Sequence, residues 1–131
     1  MTVWQGSFVV TRLPRVNQWH GATCIRGKSR IYEGAAWKKA KKELGEQIQL
    51  RFRVGHPPPA ISTPVDAEIT VSMWKRVDTD APIKGILDCL EDARIVEDDK
   101  LIRDITVRRE YHKRDEPDRV SIALISPEER R

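Results

Sequence analysis

The segment from Val65 to Leu90 changes its hydrophobic period once, and that change requires a strand that hands directly over to a helix. Across Val65–Trp74, the apolar Ala67, Ile69, Val71 and Met73 alternate with Glu68, Thr70 and Ser72. Period two is the mark of a half-buried strand. From about Ala81 to Asp92 the apolar residues are Ile83, Ile86, Leu87 and Leu90, spaced to fall on one face of a helix. The short link between them carries Asp78 and Asp80.

The other elements are arranged around this unit. Val3–Thr11, with Trp4, Phe8, Val9 and Val10, reads as a first strand. Leu13–Arg30 contains Pro14, Gly21 and Gly27 and holds no steady period, so it reads as a loop. Trp37, Ala40, Leu44 and Ile48 then recur at helical spacing, and Lys38, Lys39, Lys41 and Lys42 fall mostly on the other faces. This predicts an amphipathic helix with a basic outer surface. Gly55–Pro64, GHPPPAISTP, connects it to the next strand, because proline removes donors and fixes the backbone. Leu101–Tyr111 and Arg119–Ile125 flank the polar run HKRDEPD and read as a closing hairpin. The expected fold is α+β, a mixed β-sheet covered on one face by two helices, in a single domain over residues 1–131.

Charge is distributed unevenly. Residues 1–60 carry 11 Lys and Arg against 3 Asp and Glu, whereas residues 61–131 carry 13 against 17. The basic half suits contact with a polyanion, although a solvated basic surface explains it equally well. No apolar run approaches the roughly 20 residues that cross a bilayer, and MTVWQGSFVV lacks a basic region leading into a hydrophobic segment. A cytoplasmic protein with no membrane partner is expected. Cys24 and Cys89 have no metal spacing, and Cys89 falls in an apolar helical stripe as a small buried hydrophobe. His20, His56 and His112 have no zinc-site spacing and read as surface residues. The chain has no Gly-rich loop with Lys-Ser or Lys-Thr, which argues against a nucleotide cofactor.

The chemistry concentrates in VDTDAPIKGILDCLEDARIVEDDKL, residues 77–101. Asp78 and Asp80, two apart at the end of a strand, would point to one face. Lys84 lies one helical turn further on, and Asp98 and Asp99 follow the helix after a short return. Hard carboxylates beside a cation suit Mg²⁺ held against a phosphodiester. Taken singly, each residue also has a plainer explanation. Asp80 before Ala81 and Pro82 makes a helix N-cap, Asp98 and Asp99 make a turn, and Lys84 lies on a solvated helix face.

The same segment resembles the RusA family of Holliday junction resolvases, whose signature is an Asp-x-Asp pair, a lysine four residues on, and a double aspartate after one helix. DTDAPIKGILDCLEDARIVEDD matches that pattern without a gap. The resemblance implies that Asp78, Asp80 and Asp99 are catalytic metal ligands for Mg²⁺ and that Lys84 is the essential lysine. Asp88 matches an aspartate often found in the helix and is read as structural. GKSRIYEGAAWKKA resembles the family's basic loop leading into the first helix, and Asn17 corresponds to an asparagine near its N-terminus. Ala81 departs from the asparagine that many members have after the second aspartate, and the proline-rich loop is longer than usual. The implied protein is a homodimer that makes paired, symmetric nicks in a four-way DNA junction during recombination or repair. Arg26, Lys28, Arg30, Lys38, Lys39, Lys41 and Lys42 would hold the DNA backbones. Two alternatives stand beside it: a non-catalytic nucleic-acid-binding module, and a nuclease of the same fold acting on other branched DNA.

Overall fold

A computed structural model describes residues 2–15, 20–25, 28–52, 57–75 and 77–127, with side chains for all of these except 20–25 and 28–33. Four strands form the main sheet: β1 (Thr2–Val10), β4 (Val65–Trp74), β5 (Ile102–His112) and β6 (Asp118–Ile125), in the order β1-β6-β4-β5. β6 runs antiparallel to both neighbours and β4 runs parallel to β5, so the sheet is mixed. Two helices, α1 (Ala35–Leu50) and α2 (Ile83–Asp92), complete the expected α+β fold.

Period two on the strands and period 3.6 on the helices meet in one core. β4 turns Ala67, Ile69, Val71 and Met73 inward, β6 contributes Val120, Ile122 and Leu124, and β1 contributes Trp4, Phe8 and Val10. Trp37, Ala40, Leu44 and Ile48 of α1 and Ile86, Cys89 and Leu90 of α2 are buried. Each large aliphatic side chain among them contributes about 1.5–3 kcal/mol by leaving water. The opposite sheet face carries the polar residues of the same alternation, including Ser7 and Ser121, whose hydroxyls lie 2.9 Å apart.

Two sequence expectations are corrected. Leu13–Arg30 is not simply a loop, because β2 (His20–Ile25) and β3 (Lys28–Glu33) pair as a separate antiparallel hairpin. Six residues a strand, interrupted by glycine and arginine, are too short to show a period. The last two strands do not form a hairpin with each other either. β4 lies between them, paired through Val71↔Arg109 on one side and Val71↔Val120 on the other. A run of polar turn residues reports that the chain turns and carries no information about which strand it turns beside.

That connection is tied down by a buried polar network. Asp118, fully buried, accepts from the Leu13 backbone N–H at 2.8 Å and lies 2.8 Å from Nε2 of His112. Arg12 donates to the backbone carbonyls of Arg114 and Glu116 and lies 3.8 Å from the Asp118 carboxylate. His112 is therefore an interior residue, its side chain only 5% exposed, and not the surface histidine expected.

Candidate metal and nucleic-acid site

β4 ends at Trp74, and the chain then makes two successive turns rather than continuing extended. The Val77 N–H donates to the Trp74 carbonyl at 3.0 Å, and the Ala81 N–H donates to the Asp78 carbonyl at 3.1 Å. Val77 and Ala81 are buried, so they anchor the link at both ends and leave Asp78 and Asp80 exposed between them. The sequence pattern put both aspartates on one face of an extended strand, whereas the structure presents them on a turn anchored by two apolar residues.

α2 begins immediately afterwards. Its N-cap is Pro82, with no side-chain capping bond, and the Ile83 N–H is taken by the Asp80 backbone carbonyl at 3.2 Å. The Asp80 carboxylate is therefore not used as the helix cap. Lys84 lies on the first turn with its ammonium 3.8 Å from Asp88 one turn on, and Lys41 of α1 reaches the other oxygen of Asp88 at 3.5 Å. Gly85 allows this close arrangement of helices. A β-carbon there would lie 2.4 Å from Cγ of Pro14 and 3.1 Å from the Trp37 ring.

Asp98 and Asp99 follow as the start of a 3-10 turn, Asp99–Leu101, in which the Asp98 carboxylate accepts from the Lys100 N–H at 2.9 Å. The plainer reading of Asp98 as a turn residue describes it well. Asp99 instead meets α2, where carboxylate oxygens of Asp88, Glu91 and Asp99 lie within 4.8 Å of one another. Partial burial, and then the charges of Asp99, Asp98, Asp92 and Asp88, push the Glu91 carboxyl above its ordinary value. Asp78 and Asp80 are outside this group. They precede the start of α2, whereas Asp99 meets Asp88 in the middle of the helix and Glu91 near its end.

The donors of Asp88, Glu91 and Asp99 are all hard oxygens, and the like charges crowded at Glu91 are what a divalent cation would relieve, so these residues fit a hard divalent cation. The sequence missed the approach of Asp88 and Glu91 to Asp99. The first half of that signal was legible, because Lys84, Asp88 and Glu91 follow i, i+4, i+7 along one helix face.

A family model described as Endodeoxyribonuclease RusA matches residues 6–125. The chain belongs to the RusA family of endodeoxyribonucleases. A search of curated proteins found no match. The RusA match spans the main sheet from within β1 through β6, both helices and the whole carboxylate segment.

The basic residues of this RusA-family chain fall into two groups. Lys38, Lys39 and Lys42 are exposed on α1, whereas Lys41 is half-buried against Asp88 with its ammonium 5.4 Å from the Trp37 ring centre. Lys28 and Arg30 lie on β3, with side chains outside the described ones, and Arg26 and Asn17 lie outside the described residues altogether. Among the described residues, no helix is long and apolar enough to cross a membrane.

Proposed function

We propose that the protein is a Mg²⁺-dependent endonuclease that resolves four-way (Holliday) DNA junctions by paired symmetric nicks in recombination and repair, acting as a homodimer. The observation that carries this reading is the placement of two exposed aspartates and a lysine on one strand-to-helix unit, within a chain of the RusA family. Asp78, Asp80 and Asp99 would hold the cation. When bound, it polarises the scissile phosphate and lowers the pKa of an attacking water. Lys84 neutralises charge that develops on the phosphoryl oxygens, and Asp88 orients its ammonium. Lys38, Lys39 and Lys42, with Lys28 and Arg30 on β3 and with Arg26, hold the phosphate backbones.

Homodimerisation suits both the substrate and the division of the acidic residues into two groups. A junction presents two symmetry-related scissile phosphates, and a two-fold dimer presents two equivalent sites. Asp78 and Asp80 are outside the carboxylate group that Asp99 joins, and from this we infer that each ion is held by carboxylates from both protomers.

The test is a labelled synthetic junction and a linear duplex, each incubated with and without Mg²⁺, with Asp80→Asn in parallel. Paired nicks confined to the junction, dependent on Mg²⁺ and absent in the mutant, are expected. Nicking of flaps or forks in preference to junctions would reassign the substrate. Salt-sensitive binding with no cutting would reduce the protein to a nucleic-acid-binding module.

A further inference from the structure

Arg109 occupies a position where the sheet calls for an apolar side chain. On β5 it pairs with Val71 and shares the core-facing side with Val107, which packs against the hydrophobic cluster. Its guanidinium is half-buried and makes no ion pair among the described residues. One ring stacks near it, since the guanidinium carbon is 4.7 Å from the centre of Tyr111.

Its hydrogen bonds all go to the link that follows β4. Nη2 donates to the Trp74 carbonyl, while Nη1 donates to the Val77 carbonyl and, at 3.3 Å, to the Thr79 hydroxyl. Val77 and Thr79 are the two neighbours of Asp78. One rigid fork from another strand therefore grips the backbone before Asp78 and the side chain after it, and ties both to the end of β4. A half-buried cation with no carboxylate partner costs stability unless its donors are taken up. Here two carbonyls and a hydroxyl of the two turns take up the Nη donors, while the buried Nε has no hydrogen-bond partner among the described residues.

We propose that Arg109 is a positioning residue for the metal shell, fixing the turn that presents Asp78 and Asp80. The inference rests on the nuclease reading above. It assigns no contact between Arg109 and DNA or metal. Its action runs through the shape of the turn, which sets how far apart the two carboxylates stand before a cation arrives. A planar fork can bridge two carbonyls at once, whereas a lysine ammonium is a single point that cannot span them with the same rigidity.

Arg109→Ala, Arg109→Lys and Thr79→Val should be compared with the wild type and with Asp80→Asn in the full chain. Thermal unfolding checks the fold, and electron paramagnetic resonance titration of Mn²⁺ without DNA reads ion binding apart from catalysis. Arg109→Ala is expected to raise the half-saturating Mn²⁺ concentration of the site lost in Asp80→Asn by about 10- to 100-fold, the usual cost of losing a residue that orients metal ligands. Junction binding without metal should be unchanged, excess Mg²⁺ should restore part of the nicking, and Arg109→Lys should fall between. A folded Arg109→Ala with the wild-type Mn²⁺ titration and the wild-type Mg²⁺ dependence of nicking overturns the inference. Should Arg109→Ala not fold, Arg109→Lys and Thr79→Val decide it: a shift in the titration supports the positioning role, and wild-type titrations in both overturn it. A wild type that binds no Mn²⁺ and nicks no junction refutes the nuclease reading, and this inference with it. Nicking by the wild type with an indifferent Arg109 refutes only the inference.

Discussion

Lys41 of α1 lies 3.5 Å from Asp88 of α2, so one of the four clustered lysines fastens the two helices together. Only Lys38, Lys39 and Lys42 remain as exposed cations on that helix. Replacing these three with alanine should weaken junction binding and reduce the slope of log affinity against log salt by about 3, near one unit for each lost phosphate contact. Lys41→Ala should leave the slope close to wild type and cost up to about 1 kcal/mol of stability, the range of a partly exposed ion pair. Anisotropy titrations at several salt concentrations separate the two effects. An equal loss of slope in Lys41→Ala and Lys42→Ala would count against the helix-fastening role.

Gly85 is required by contact rather than by backbone conformation. A methyl group there enters the space of Pro14, which anchors the chain leaving β1 against α2. Gly85→Ala should destabilise the protein by about 1–3 kcal/mol despite the better helix propensity of alanine. Pro14→Ala in the same chain should recover part of the loss, giving a non-additive pair in chemical denaturation. Simple additivity would place the clash elsewhere.

Asp118 is the buried charge on which the chain crossing over β4 depends. Asp118→Ala strands the Leu13 N–H and the His112 ring together, and it should cost about 3–5 kcal/mol, as removing one partner of a buried pair does. Urea unfolding measures it. A loss under 1 kcal/mol would mean that water replaces the carboxylate at no cost.

Much of this architecture was legible because burial imposes a period. Trp37, Ala40, Leu44 and Ile48 specified α1, and the alternation from Val65 to Trp74 specified β4 to the residue. The β2–β3 hairpin was missed because short two-stranded pieces off the main sheet carry no alternating core face. Strand order was missed at β5 and β6 because pairing is decided by tertiary packing, beyond any local signal. At the site, Asp78, Asp80 and Lys84 could be placed on one βα unit from spacing alone. The company Asp99 keeps could not, since it depends on how the return from α2 packs. Arg109 was partly visible as a charge in phase with Val107, on the face where alternation demands an apolar residue.

Cys89 reports on the same helix from inside the core. Burial, opposed in part by the charge of Lys41, pushes its thiol up to about 12, so the neutral thiol persists at physiological pH. In a Cys24→Ser background, labelling by a thiol reagent at pH 8 should be slow in the native state and fast in denaturant. The sign of the linkage follows from the raised value. This contribution to stability is complete below the unfolded thiol's value near 9.0 and is lost as pH rises towards about 12. Rapid native labelling would show that α2 opens from the core more readily than its packing implies.

The sharing of carboxylates between protomers leads to an outcome that a self-contained site cannot produce. Asp80→Asn and Asp99→Asn should each abolish nicking alone. If each ion is held by the Asp80 end of one protomer and the Asp99 end of the other, a mixed dimer of the two mutants has one site with both defects and one with none. Mixing with subunit exchange should then restore roughly a quarter of the wild-type sites, from random reassortment into two-fold dimers. The products should be single nicks rather than resolved junctions, because only one phosphate of the pair can be cut. If all three aspartates act within one protomer, every site in the mixture carries a defect and no nicking returns. Restored single nicking would therefore place the metal shell across the two-fold axis. Its absence, with exchange confirmed by mass spectrometry, would place Asp78, Asp80 and Asp99 of one protomer around a single ion.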